Sequence, residues 1–333
     1  MKPFATALKD HPWIAVVALL VLAAALSVLA WMLWPVVRAP GWAAHDPGKG
    51  PVSLAGVLPR GAEPPLRGPF GAAVLSGHVY VSEADGSSIR VLDLDGVTIQ
   101  TLALPAERGA PTAYPSDLEV LGDGRLAVVD NASQRVRLFE VRPDGTISPT
   151  GSFRASTPTA TPVQPTAVTA LGGEQIAIAD GADKTIKVYS RTGALLRTLG
   201  SQVEPRLTFV SGMALVDGVL VVSDTNAARV VFLDPKTGAM IDAFPDRFAQ
   251  PRAIIAIRGR TFAVVDTFGR SVRFCTLDGA TKLSIGSAES TLPPEARLGS
   301  PRAAAWDAAA RRLYVTDTGS GRIVVYNVSS GSE

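Results

Sequence analysis

The 333-residue sequence predicts an all-β fold, a six-bladed β-propeller preceded by a single transmembrane α-helix, on three observations. One short pattern, two β-branched or aromatic runs separated by an acidic residue and a small polar loop, recurs six times after residue 50. Its acidic residue returns every 42 to 51 positions, an irregular period that suits four-stranded blades better than helical repeats of near-constant length. Ahead of the copies lies one uncharged apolar run long enough to cross a bilayer.

The copies read YVSEADGSSIRVLD (80–93), AVVDNASQRVRLFE (127–140), AIADGADKTIKVYS (177–190), VVSDTNAARVVFLD (221–234), AVVDTFGRSVRFCT (263–276) and LYVTDTGSGRIVVYN (313–327). The acid closing the first run is Glu83, Asp130, Asp180, Asp224, Asp266 and Asp317 in turn. Five copies follow a run led by Pro69, Pro115, Pro165, Pro251 or Pro301, and Val210 takes that place in the fourth. A Gly-bearing turn and another apolar run come after, so each copy holds four strands, a to d. A Pro-led apolar strand, then Asp-Thr as in Asp317-Thr318, then Arg-Ile as in Arg322-Ile323, resembles the NHL-repeat family over roughly residues 51–327. The resemblance implies a six-bladed propeller and no particular activity.

The run 13–34 has 22 residues without a charge and spans about 33 Å as a helix at ~1.5 Å per residue. Trp13 at one end and Trp31 and Trp34 at the other suit the two membrane interfaces. A cleaved signal peptide is the alternative, but its apolar region would be shorter. Residues 1–12 then form a short tail and 35–50, rich in Pro, Gly and Ala, a tether to the propeller at 51–328, which leaves 329–333 as a tail. Lys2 and Lys9 before the span nearly balance Arg38 and Lys49 after it. The expectation of a single-pass protein of the cell membrane, its propeller on the extracytoplasmic side, therefore rests on the architecture, a short tail against a large domain.

Beyond residue 10 the chain has 30 basic and 29 acidic residues, which argues against nucleic acid as a partner. Cys275 is the sole cysteine, and Leu92, Phe139, Tyr189, Leu233 and Tyr326 take its place in the other copies, so a buried apolar filler is expected.

Five copies have a strand d and the sixth has none. Residues 52–58 are expected to supply that outer strand, because closing the ring removes an unpaired edge. Strand direction puts the tight a–b and c–d turns on one face and the long d–a loops (59–68, 105–114, 154–164, 200–209, 245–250 and 286–300) on the other, which becomes the candidate binding face. The strand 52–58 runs toward that face, so the tether is expected on the opposite one.

Three separated histidines, His11, His45 and His78, build neither a metal triad nor a Ser-His-Asp arrangement. The repeated acid is expected to be a structural staple: it accepts backbone N–H groups of the b–c loop and pairs with the cation that follows, Arg135, Lys184, Arg229, Arg270 or Arg322. A catalytic site is made once, not five times. Discrimination lies where the copies differ, at the second residue of strand a: Phe70, Ser116, Thr166, Ser211, Arg252 and Arg302. Arg252 and Arg302, on neighbouring blades, suit bidentate capture of a carboxylate or phosphate at the channel mouth. Opposite them Asp117 and Glu119 could offer oxygen ligands to a cation such as calcium. Ordinary rim salt bridges are the alternative for both sets.

Related six-bladed propellers include gluconolactonase-like and strictosidine-synthase-like hydrolases and lyases that hold a metal in the channel. Those resemblances would imply channel ligands that this sequence does not assemble, since Asn131 and Asn226 fall in b–c loops. The leading expectation is a binding or scaffolding module, similar to the sensor propellers of some bacterial membrane kinases, that takes a protein partner or a small acidic ligand without a cofactor. A metal-assisted hydrolase or lyase, with calcium, is the alternative.

Overall fold

A computed structural model describes residues 51–106, 112–155, 163–286 and 292–329. All of them belong to one of the two units into which the chain divides, His45–Glu333. The expected tail 1–12, span 13–34 and tether 35–50 lie outside these residues, and among the described residues no helix is long and apolar enough to cross a membrane.

The described chain folds as six four-stranded antiparallel sheets. After β1 (Val52–Leu58), blade 1 is β2 (Pro69–Leu75), β3 (His78–Glu83), β4 (Ser88–Asp93) and β5 (Thr98–Ala103); blade 2 is β6 (Pro115–Val120), β7 (Leu126–Asp130), β8 (Arg135–Val141) and β9 (Ile147–Arg154). Blade 3 is β10 (Pro165–Gly172), β11 (Gln175–Asp180), β12 (Thr185–Ser190) and β13 (Leu195–Leu199); blade 4 is β14 (Val210–Val216), β15 (Val219–Asp224), β16 (Arg229–Leu233) and β17 (Met240–Ala243). Blade 5 is β18 (Pro251–Arg258), β19 (Thr261–Asp266), β20 (Ser271–Thr276) and β21 (Thr281–Ile285), and blade 6 has β22 (Pro301–Asp307), β23 (Arg312–Asp317) and β24 (Arg322–Val328). The fourth strand of blade 6 is β1, antiparallel to β24 with Val52 opposite Val328 and Leu58 opposite Ile323.

Position in the blade explains each strand's composition. The second strands lie between two neighbouring blades and are packed on both faces, so β19 is buried at every residue and reads as a continuous apolar run. The outermost β5 faces a neighbour on one side only, and its burial alternates residue by residue. The core is divided into six apolar clusters, one at each blade–blade interface. One of them closes the ring by joining Leu58, Tyr314 and Ile323 to Val79 and Leu92 of the first blade and to Leu66 in the loop that leads into it.

The repeated acids are buried and clamp the long loops. Asp224 accepts from the backbone N–H groups of Thr208 and Phe209 at 2.9 and 3.1 Å and from Arg229 Nε at 2.9 Å. Asp317 repeats this with Gly299, Ser300 and Arg322. The cation expected from the sequence is the partner in these two blades, whereas Asp130 and Asp180 pair with Arg137 and Lys187, two residues past the expected Arg135 and three past the expected Lys184, and the expected Arg270 does not pair with Asp266. Glu83, for which no cation is expected, pairs with Arg90. A strand presents every second residue on one face, so these side chains still reach the acid. Lys184 and Arg270 instead occupy the left-handed turn position, with φ of 65° and 49°, that Gly321 fills in blade 6. Asp266 is held by three backbone N–H groups, of Ala249, Gln250 and Gly269.

The residue after the acid ties one blade to the next. Thr225, Thr267 and Thr318 donate their hydroxyls to the carbonyls of Pro251, Pro301 and Pro69 at 2.7, 2.6 and 2.5 Å, and the Asn131 amide donates to Pro165 O at 2.8 Å. The Asp-Thr pattern is therefore a double joint: the acid fixes its own blade's entry loop, and the hydroxyl fixes the neighbour's first strand. Cys275 is fully buried, and burial pushes its thiol up to about 12.

Candidate ligand-binding site at the channel mouth

The six first strands, β2, β6, β10, β14, β18 and β22, contact one another in a ring around the axis. Each starts at the long-loop face, so the second residue of each arrives at the same level. A cavity of about 300 Å³ opens there, lined by Phe70, Ser116, Thr166, Ser211, Arg252 and Arg302 together with Asp117. Glu119, expected beside them, lies deeper, in a second chamber of about 260 Å³ that Asp117 also lines.

Two of these side chains are committed to the fold. The Thr166 hydroxyl donates to Val210 O at 2.7 Å, and the Ser211 hydroxyl to Arg252 O at 2.9 Å, each bridging to the following blade. Arg252 O also accepts from Ser223 Oγ at 2.7 Å. Beside it Gly212 leaves no room for a side chain, since a Cβ there would fall 2.2 Å from Arg252 O. Close approach of β14 thus holds the backbone from which the Arg252 side chain leaves.

Arg252 and Arg302 make no hydrogen bond or ion pair among the described residues, and the Nε of each is buried without a partner, as is Ser116 Oγ. The Arg302 guanidinium lies 4.6 Å from the centre of the Phe70 ring, and Phe70 meets Tyr114 edge to face at 5.6 Å. Burial, and then the like charge of Arg302, lower the Arg252 pKa to about 10, so its guanidinium stays charged at neutral pH. Burial and the charge of Asp85 raise the Tyr114 hydroxyl, while Arg302 and Arg252 act against them.

The acids behave in the opposite sense. Asp117 accepts the N–H groups of Leu118 and Val168, both at 2.9 Å, yet burial still pushes its carboxyl up to about 7. Glu119, 3.4 Å from Thr169 Oγ1, is pushed up to about 8 by burial and then by the charge of Asp117. Both side chains keep partial exposure to the lumen, while the channel wall encloses them and withholds bulk hydration.

Among the described residues no group of three or more His, Cys, Asp or Glu could hold a metal ion. Asp117 and Glu119 offer two carboxylates where calcium takes six to eight oxygens. Tyr114, Asn131 and Phe209 also line the mouth and were not foreseen. Tyr114 and Phe209 share one column, the residue just before strand a, so reading that column beside the next one would have found both.

No family model matches the sequence, and no curated protein matches it. Solved structures do resemble it. Virginiamycin B lyase from Staphylococcus aureus superposes with a TM-score of 0.58 at 14% identity, over 84% of this chain and 100% of that one. A structural genomics protein of unknown function from Bacteroides thetaiotaomicron gives 0.60 at 17% identity, over 80% and 71% of the two chains. Raptor from Chaetomium thermophilum gives 0.59 at 14%, over 83% of this chain and 29% of its own. At such low identity these likenesses show the propeller fold alone.

Proposed function

We propose that the chain is an NHL-type binding propeller, held on the extracytoplasmic side of a membrane by the apolar run 13–34, that captures an acidic group at its channel mouth. The observation that carries this reading is the pair Arg252 and Arg302, two like charges in one cavity that no ion pair or hydrogen bond among the described residues engages. Burying an unpaired charge is costly, and an anion bound by both guanidinium groups offsets that cost. A carboxylate or phosphate of a small ligand, or the acidic side chain of a partner protein, meets the same requirement.

Calorimetric titration of the full chain in detergent with succinate tests the reading. Replacing both residues (Arg252→Ala, Arg302→Ala) is expected to weaken binding by about tenfold or more with the melting temperature unchanged, since each good charge-assisted contact is worth about 1.5–3 kcal/mol. Equal binding by the variant rules the site out. A second reading, metal-assisted lyase or hydrolase chemistry, draws on Asp117 and Glu119 in the channel and on the lyase among the structural neighbours. It requires a melting temperature that rises with added calcium, because a ligand of the native state stabilises by mass action.

A further inference from the structure

The cavity that holds Arg252 and Arg302 also holds a carboxyl that pairs with neither of them. Elsewhere this chain pairs its buried charges closely: Glu83 with Arg90, Asp130 with Arg137, Asp224 with Arg229 and Asp317 with Arg322 lie within 2.7–3.2 Å. At the mouth it does not. Asp117 lines the cavity together with Arg252 and Arg302, yet its partners are two backbone N–H groups and no ion pair joins it to either arginine. The separation follows from the ring: Asp117 is on blade 2, Arg252 and Arg302 are on blades 5 and 6, and blade 5 stands across the axis from blade 2.

Depth adds a direction. Counted from the leading proline, Asp117 is one residue further along its strand than either arginine, and Glu119 is three further. At ~3.3 Å per residue that places them about 3 and about 10 Å deeper in the channel. A molecule seated on the guanidinium pair and extending across the axis therefore meets Asp117 first and Glu119 below it. The aromatic rings of Phe70 and Tyr114 close one side of the mouth and keep water from the bound charges. A cavity of about 300 Å³ limits the guest to a small molecule.

We infer that the ligand is bipolar, a small zwitterion with a carboxylate or phosphate on Arg252 and Arg302 and an ammonium group on Asp117, with Glu119 beneath. This assignment rests on the acid-binding reading and adds the second pole. Burial holds both carboxyls protonated toward neutrality, and an ammonium group beside them would favour their ionised form.

The test is calorimetric titration of the full chain in detergent, at pH 8 and low salt, with 4-aminobutyrate and 6-aminohexanoate against butyrate and hexanoate, which lack only the amine. At least one amino acid is expected to bind about tenfold or more tightly than its amine-free counterpart, the size of one good buried ion pair. Asp117→Asn with Glu119→Gln removes that advantage and leaves the affinity for the plain acids unchanged or higher. Glu119→Gln alone, further from the mouth, gives a partial loss and serves where the double variant does not fold. Equal affinities for amino and plain acids in the parent protein overturn the bipolar ligand while leaving the arginine site standing. Binding of every probe that survives Arg252→Ala with Arg302→Ala, or no binding of any probe, overturns both.

Discussion

Asp117 and Glu119 carry protons at a pH where carboxyls in water have lost them, and this has a consequence for stability. In the unfolded chain they ionise near their ordinary values, 3.8 and 4.5, whereas in the folded chain they hold their protons up to about 7 and about 8. The folded state therefore binds more protons across that window. The contribution of these two groups to stability is fully present below about pH 4, falls as pH rises, and levels off above about pH 8. A rise of some three units is worth at most about 4 kcal/mol per group, and partial exposure to the lumen reduces it to about 1–2 kcal/mol. Between pH 5 and 9 the melting temperature of the parent is expected to drop several degrees further than that of Asp117→Asn with Glu119→Gln, and parallel profiles would mean that the two carboxyls titrate as they do in water. Gly212 is the residue-scale counterpart in the backbone. Gly212→Ala drives a methyl group against Arg252 O, so blades 4 and 5 must part. A loss of about 2 kcal/mol or more is expected by chemical denaturation, together with weaker succinate binding, since the same carbonyl sits at the root of the arginine side chain.

The joint between strands b and c shows which parts of an element can be read from a sequence. Asp224→Ala would orphan the N–H groups of Thr208 and Phe209 and leave Arg229 without its counter-charge, for an expected loss of about 3–5 kcal/mol in a urea unfolding series. Thr318→Val removes one hydroxyl bridge to Pro69 O and is expected to cost about 1 kcal/mol. If the two variants lost equal stability, the acid would be no more than another surface polar group. The acid itself was legible because it recurs once per blade at a strand end. Its partner was less so: nearness in sequence pointed to Arg135, whereas the period of a strand brings Arg137 onto the acid's face, and Arg135 turns instead to Ser152 Oγ at 3.2 Å. The loop position filled by Lys184 and Arg270 carries the left-handed turn, so charge there reports a backbone requirement met without glycine and not an ion pair. The propeller was legible for a related reason, as β3, β7, β11, β15, β19 and β23 are buried on both faces and repeat one apolar signature. The mouth was half legible. Arg252 and Arg302 stand out as departures within an aligned column of strand a, while Tyr114 and Phe209 occupy the column just ahead of it, at the loop ends, where the strand pattern does not reach.

At the scale of the whole molecule, the channel mouth exists only while the ring is shut, and the ring is shut by a strand from the opposite end of the chain. Blades 1 to 5 are each made of four consecutive strands, whereas blade 6 takes its outer strand from β1. That strand pairs Ser53 with Asn327 and is fixed at its start by the Ser329 N–H on Pro51 O at 2.8 Å. Its last residue, Leu58, is 1% exposed and packs in the cluster that joins blades 6 and 1. Every interface in a ring depends on the others, because parting any two blades releases the geometry of the rest, so loss of one outer strand weakens the protein by more than that strand's own contacts. Leu58→Ala is expected to cost about 2–5 kcal/mol, which corresponds to a fall in melting temperature of about 2–4 °C per kcal/mol. Replacing residues 52–58 by seven Gly and Ser residues keeps the chain length but removes all the apolar side chains of β1. It is expected to lower the melting temperature by about 10 °C or more, to abolish succinate binding with Arg252 and Arg302 untouched, and to cause concentration-dependent association as the bared edge of β24 pairs with another copy. A replacement variant that melted with the parent, stayed monomeric and bound succinate would show that the ring holds without its closing strand.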